Sequence, residues 1–386
     1  MRVAMFLQNE PYPQDVRVRS EVRTLVEAGH DVTVFAPVAI GQARTERVDG
    51  VEVRRYRIPE ATGGVAGFAA EYAAAHAQLL PRGLAAIGRG ADAIHLHNPP
   101  DTLFPLALAA RAAKRQAVFD MHDLFPELIG LRTGSRGLER IGRGAQRASL
   151  RSASAVIVTN ESQREIAVRE GQLREDQVTV VRNGPPQATL APPREVRPGP
   201  LAAPRLVYLG ALGPQDGVLD LPALMRHPSL ATAHLTVLGD GPAHAALEAD
   251  VAASPELAGR VALLGRVEHE RVPELLDAAD IAVDPAPCTA FNQRSTMVKI
   301  AEYLAARLPV VAYDLVETRR TADDAALLVP CGSVDHLADA VARVARNESL
   351  RYSLSVRAAA RATELVWERS AGALLGLYER LAAARG

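Results

Sequence analysis

The sequence predicts an α/β protein of two similar halves, each a parallel sheet with helices on both faces. Three observations predict it. Short apolar runs alternate with longer amphipathic stretches along the 386 residues, the pattern of buried strands joined by crossover helices. Near the middle, residues 185–204 hold Pro185, Pro186, Pro192, Pro193, Pro198, Pro200 and Pro204. Each proline lacks a donor N–H, so a core element could not hold them, and the stretch reads as a linker. After residue 204 the alternation starts again.

In order, residues 3–7 (Val-Ala-Met-Phe-Leu) read as a buried strand. Residues 15–28 read as a helix with Asp15 as N-cap. Its apolar stripe is Val18, Val22, Leu25 and Val26, and Gly29 stops it. Further strands are expected at 31–36, 51–58, 93–97, 117–121, 155–159 and 178–181, with the longest helix at 68–87. In the second half, strands are expected at 206–209, 235–238, 261–264, 281–283, 310–313 and 326–329, with helices at 296–307 and 334–346. Residues 367–384 form a last amphipathic helix, with Leu374, Leu377, Tyr378 and Leu381 at helical spacing. The expected division is 1–184 with the C-terminal helix 367–386, a linker at 185–204, and 205–366. Open α/β sheets bind ligands beyond the carboxyl ends of their strands, so two halves facing across a cleft suit two substrates.

Charge and composition exclude several functions. Lys+Arg is 44 against 45 Asp+Glu, a net charge of -1, which argues against a nucleic-acid binder. Cys288 and Cys331 are the only cysteines, too few for a disulfide scaffold or a multi-cysteine zinc module. No apolar run reaches the roughly 18 residues that cross a bilayer, and the first run is too short for a signal-peptide core. A cytoplasmic protein is expected. Lys114 and Lys299 are the only lysines, against 42 arginines.

The strand ends carry the candidate chemistry. The first turn, residues 8–15, has no glycine and so no dinucleotide fingerprint, and a P-loop is absent. The second half opens instead on Gly210-Ala211-Leu212-Gly213-Pro214-Gln215-Asp216-Gly217. Its next strands end at Gly239-Asp240-Gly241-Pro242 and Gly265-Arg266-Val267. Glycines let a backbone approach a ligand and expose its N–H groups. Arg294-Ser295-Thr296 precede a helix that carries Lys299 and Glu302 three apart on one face. Ser295 or Thr296 would cap that helix, whose N-terminus suits a phosphate. Lys299 would neutralise a diphosphate and Glu302 would accept both hydroxyls of a ribose; the alternative is a surface helix with an ordinary Lys–Glu pair.

In the first half, Asp120-Met121-His122-Asp123 ends a strand. A histidine between carboxylates there is an acid/base or polar-contact candidate, or a satisfied structural histidine. His95 and His97 alternate on one strand, but no third ligand at metal spacing is evident, so they read as cleft or core residues and no metal is expected. Arg132, Arg136, Arg140, Arg143, Arg147 and Arg151 recur at helical spacing, predicting a basic helix at 132–151. It is either a solvated face or a peripheral contact with anionic lipid on the inner face of the membrane.

These motifs, in this order, resemble the retaining glycosyltransferases of the GT-B fold, family 4. The resemblance rests on Asp15-Val16-Arg17-Val18, Gly29 to Val34, Asp120 to Glu127, Val181 to Gly184, Gly210 to Gly217, Val237 to Pro242, Ser295 to Ala305 and Pro309 to Asp314. It implies two Rossmann-like domains, with the acceptor on the first and a nucleotide-diphospho-sugar on the second. A UDP-sugar is the expected substrate, with no cofactor. The implied acceptor is a sugar, a lipid-linked sugar or a small natural product, met by loops at 10–17, 60–68 and 98–102. The resemblance puts His122 beside the donor sugar, Glu302 on the ribose, and the Ser295 and Thr296 N–H groups on the diphosphate. Asp15, Arg17, His97 and Asp123 fall on the acceptor side.

The chain departs from the family pattern in places. The first of two carboxylates usual in the family is Arg294 here, and the usual diphosphate-gripping Arg and Lys fall on Ala211 and Asp216. Lys299, Arg294, Arg266 and Arg17 are the cations expected to replace them. The alternatives are a nucleotide-sugar 2-epimerase and a non-catalytic sugar-nucleotide-binding homologue.

Overall fold

A computed structural model describes residues 1–58 and 64–384. Residues 60–63 of the expected acceptor segment lie outside the described residues, as do 385–386 at the end of the expected C-terminal helix and the Arg132 side chain. The chain divides into two compact units, Met1–Arg182 with Ser370–Gly386, and Asn183–Arg369.

The first unit holds β1 (Arg2–Phe6), β2 (Asp31–Pro37), β3 (Thr45–Val48), β4 (Val51–Tyr56), β5 (Ala93–His97), β6 (Gln116–Met121), β7 (Ala155–Val158) and β8 (Val178–Val180). Their order is β3-β4-β2-β1-β5-β6-β7-β8, all pairs parallel except β3 with β4. The order reverses between β1 and β5, the crevice where such sheets bind ligands. Helix α1 (Val16–Glu27) starts as expected: Asp15 accepts from the Val18 N–H at 3.0 Å. It is followed by α2 (Gly64–Gly88), α3 (Phe104–Ala112), α4 (Phe125–Thr133), α5 (Arg136–Ser152) and α6 (Glu161–Gly171).

The second unit holds β9 (Arg205–Leu209), β10 (His234–Leu238), β11 (Val261–Leu263), β12 (Ile281–Asp284), β13 (Val310–Tyr313) and β14 (Ala326–Val329) in the order β11-β10-β9-β12-β13-β14. All are parallel, and this order places its switch point between β9 and β12. Its helices are α7 (Leu221–Arg226), α8 (His244–Ala252), α9 (Val272–Asp277), α10 (Val298–Ala305), α11 (Val316–Ala322), α12 (Val334–Arg346) and α13 (Glu348–Leu365). Strand alternation splits the core in two. Leu206, Tyr208, Ile281, Val283, Val311 and Tyr313 pack into one cluster, and Val207, Ala282, Val310 and Ala312 into the other. Helix α14 (Trp367–Ala383) begins in this unit, and from Ser370 it belongs to the first, where Leu374, Leu377, Tyr378 and Leu381 are buried.

Four expectations change. The short, half-polar β3 was not expected. The single basic helix at 132–151 is two helices: α4 ends at Gly134, whose φ is +65°, and α5 restarts on the Ser135 cap, which accepts from Leu138 N–H. Arg143 is paired with Glu127 and Glu139, and Arg147 with Glu170, so part of that basic face is neutralised within the unit. Residues 185–204 are not a free linker. The Ala191 N–H bonds the Ala305 carbonyl and the Leu201 N–H the Ala345 carbonyl, both at 2.9 Å, tying the stretch along the second unit. Finally, Cys288 and Cys331 are joined as a disulfide across 43 residues. Among the described residues no helix is long and apolar enough to cross a membrane.

Candidate functional site

In the second unit, the ends of β9, β10 and β12 build a cradle of backbone and buried charge. Gly239 has φ +131°, and a side chain there would collide with the Gly210 carbonyl. Gly217 is in the left-handed region at φ +71°, and a side chain there would collide with the Pro285 carbonyl. Both turns therefore need glycine for space. The Tyr208 hydroxyl donates to the Ala211 carbonyl at 3.0 Å and accepts from Lys299 Nζ at 3.0 Å, pinning the first turn.

Lys299 is buried and its Nζ lies 3.3 Å from Asp216 and 3.6 Å from Asp284. Burial disfavours its charge, but Asp284, Tyr208 and Asp216 outweigh that and hold it protonated. Glu302 follows one turn along α10. Burial raises its carboxyl to about 7, with Lys299 pulling the other way. It has no hydrogen-bond or ion-pair partner among the described residues. Helix α10 starts at Val298 with Met297 as N-cap and no side-chain cap; the Ile300 N–H bonds the Met297 carbonyl at 3.0 Å, and no side chain caps the N–H groups of Val298 and Lys299.

In the first unit, one carboxylate organises the end of β6. Asp120 is fully buried and receives Arg17 in a fork, Nη2 to Oδ1 at 2.9 Å and Nε to Oδ2 at 3.3 Å. Arg17 also meets Glu21 at 3.1 Å and donates to the Val181 carbonyl at 2.8 Å. Burial would raise Asp120, but Arg17 and the histidines hold it well below the usual carboxylate range. Burial and the neighbouring Asp120 push Glu21 well up. Around Asp120 Oδ2 stand His122 Nε2 at 3.2 Å, His95 Nε2 at 3.6 Å and His97 Nδ1 at 3.6 Å. His97 Nδ1 is also 3.1 Å from His122 Nε2, and His95 Nδ1 bonds the Tyr378 hydroxyl of α14 at 2.9 Å.

His122 is thus turned inward through Nε2, which leaves Nδ1 as the atom free to meet a ligand. Its backbone is held on both sides. The His122 N–H donates to Asn98 Oδ1, and its carbonyl accepts from Gln163 Nε2 at 3.0 Å. Its side chain is 15% exposed, whereas His97 is 3% exposed. Glu21, His95, His97 and Asp120 converge closely enough to hold a metal ion, which the sequence spacing did not reveal. The charge there is already met: the Arg17 guanidinium bonds Asp120 and Glu21, and Glu21 favours its neutral form.

Residues 14–184 match the family described as "Glycosyl transferase 4-like domain", and residues 203–347 match "Glycosyl transferases group 1". The chain belongs to the GT-B glycosyltransferases of the group 1, family 4 type. The alpha-D-kanosaminyltransferase of Streptomyces kanamyceticus is 26% identical over 237 residues. That match spans 58% of this chain and 59% of the relative's length. The sucrose-phosphate synthase of Thermosynechococcus elongatus superposes with a TM-score of 0.73 at 20% identity, covering 100% of both chains. Anabaena HepE, solved with UDP-glucose, gives a TM-score of 0.72 at 16% identity over 98% of this chain and 100% of that one.

Within this GT-B chain the expected residues divide into three groups. Gly210, Gln215, Asp216, Gly217 and Gly239 lie at strand ends of the second unit and Lys299 and Glu302 on α10, with Asp240, Arg266 and Val267 on neighbouring turns. Arg266 is exposed, and Arg294 ends the short 3-10 turn before α10. A second group is committed elsewhere. Ser295 does not cap α10: its Oγ donates to the Phe291 carbonyl at 3.0 Å and its N–H to the Asn292 carbonyl at 3.3 Å. Thr296 does not cap it either. Arg17 is buried in its ion pairs, so it is no cation for a diphosphate, and Asp15 is taken by the α1 cap. The third group is His97, His122 and Asp123 at one end of the first sheet, where Asn98 Nδ2 bonds the Asp123 carbonyl at 2.8 Å.

Tyr208, Asp284, Glu21 and Tyr378 complete these networks, and sequence reasoning missed them. Glu21 had a signal, one helical turn after Arg17. Tyr208 and Asp284 had none, because only the adjacency of β9 and β12 brings them to Lys299.

Proposed function

We propose that this glycosyltransferase moves a sugar from a nucleoside-diphosphate sugar, UDP-sugar above all, to a hydroxyl-bearing acceptor in polysaccharide or natural-product assembly, with retention. One observation carries the reading. At the β9/β12 switch point, the Gly210 turn, where a side chain would meet the Lys299 stem, lies against the helix whose next turn holds the unpartnered Glu302. The UDP and UDP-glucose complexes of HepE support UDP as the carrier, and the kanosaminyltransferase relative supports a sugar as the group moved.

Departure of the nucleoside diphosphate builds negative charge. The uncapped N–H groups of α10 and the Arg266 and Arg294 cations are suited to stabilise it. His122 meets the transferred sugar through Nδ1 as a polar or acid/base contact. Glu302 accepts the ribose hydroxyls as a carboxylate. The test is UDP release from a panel of UDP-sugars with candidate acceptors. Release that depends on acceptor supports transfer; no release with any nucleotide-sugar overturns it. Asp216 paired with Lys299, where the family usually has a cation, favours the non-catalytic binder as second reading.

Two expected outcomes follow at the nucleotide. Lys299→Ala leaves Asp216 and Asp284 unneutralised, so UDP should lose roughly tenfold more affinity than uridine, the size of one charge-assisted hydrogen bond. Equal losses in calorimetry would remove the lysine from the phosphate side. Glu302 titrates near 7 in the free protein, and the ribose selects its ionised form. Uridine affinity should therefore rise roughly tenfold from pH 6 to pH 8, and Glu302→Gln should flatten that profile. Uridine is used because its base and sugar carry no charge in that window.

A further inference from the structure

We infer that Cys288 and Cys331 form a reversible thiol–disulfide site that controls how firmly the β12 loop holds the Gln215–Gly217 turn. The pair is joined although 43 residues separate the two cysteines, and their Cα atoms are 5.9 Å apart, the separation usual for bridged cysteines. Its place in the fold gives it leverage. Cys288 sits between β12 and α10, in the loop whose Pro285 carbonyl abuts Gly217. In the same loop, Asn292 Nδ2 donates to both the Gln215 and Pro287 carbonyls at 2.8 Å. A shift of this loop therefore moves Asp216, the partner of Lys299. Cys331, just past β14, packs against both core clusters of the unit and so anchors the bridge. The bridge also closes a loop of chain containing all of α10.

The two sulfurs differ in access. Cys288 is exposed and Cys331 half-buried, so a small thiolate reaches Cys288 Sγ first, and exposed bridges are the labile ones. Attack forms a mixed disulfide on Cys288 and expels Cys331 as a thiolate, which takes a proton from water. A second small thiolate then attacks the sulfur of the bound small thiol, releasing the Cys288 thiolate and a low-molecular-weight disulfide. Two electrons pass from the two small thiols to the protein, and the reverse exchange with that disulfide restores the bridge. In the dithiol form Cys331 Sγ has the Asp314 carbonyl, 3.7 Å away, to accept its S–H.

The effect on nucleotide rests on the function proposed above; the effect on the loop does not. The full chain is equilibrated with reduced or oxidised glutathione, and free thiols are counted. Amide exchange is followed at 285–294, and UDP is titrated into both forms. The expected result is no free thiol after oxidation and two after reduction, slower exchange at 285–294 in the oxidised form, and UDP bound about fivefold or more tightly by it. Cys288→Ser and Cys331→Ser should each abolish the response to glutathione. Thiols that stay free under oxidant, or equal exchange and equal UDP affinity in both forms, would overturn the inference. If neither form binds UDP but exchange at 285–294 follows the thiol state, the redox site stands and the nucleotide reading falls.

Discussion

Replacing His122 with alanine is expected to cut sugar transfer at least ~100-fold, the lower range for a lost acid/base or polar contact in a transition state. The expectation comes from how the imidazole is held. Nε2 is turned to Asp120 and His97, the main chain is gripped by Asn98 and Gln163, and the side chain keeps partial exposure. A ring merely filling the core would be buried like His97. His122→Ala removes one of the contacts that hold Asp120 ionised, but the Arg17 fork, the nearest of them, still neutralises that carboxylate. The fold should therefore survive, with a denaturant midpoint near that of the parent chain. UDP release is the readout. Near-normal turnover in the folded variant would remove His122 from the reaction.

The second large effect is on stability. Asp120→Ala should destabilise the first unit by about 3–5 kcal/mol, the cost of stranding one partner of a buried ion pair. Arg17 is held by that carboxylate in a fork with both side chains out of solvent, and two histidines and His122 lean on the same oxygen. Asp120 is ionised in the fold and held below its ordinary value. Its contribution is therefore present above the unfolded pKa of about 4 and is lost only as pH falls through the lower folded value. Urea unfolding monitored on the first unit checks this. A loss under about 1 kcal/mol, the size of an exposed pair, would mean the network is not what holds α1 to β6.

The sequence made the fold legible because its signals are local. Parallel strands buried on both faces read as apolar runs, and Asp15 capping α1 reads as a polar residue before an apolar stripe. Gly210, Gly217 and Gly239 read as tight strand-end turns, and they are such turns. What was not legible depends on strand order. Arg17 and Asp120 are 103 residues apart and meet because α1 follows β1, which pairs β5, which pairs β6. Lys299 meets Asp216 across 83 residues, and Cys288 meets Cys331 across 43, for the same kind of reason. Lys299 looked like a lone cation for a ligand because its two carboxylates lie on other strands' ends. The Ser295 cap failed because α10 starts only at Val298, which leaves Ser295 two residues ahead of the Met297 N-cap with its hydroxyl on the Phe291 carbonyl of the preceding turn. The break at Gly134 was in plain view, but arginine spacing ran across it unchanged.

The central claim is that the second unit is built to bind a nucleoside diphosphate. Calorimetric titration with UDP, GDP, dTDP, CDP and NAD tests it most directly. Saturable binding of one nucleoside diphosphate, UDP, is expected, weakened by Lys299→Ala and dependent on pH through Glu302. Binding of NAD in its place, or of none of the five, would contradict it.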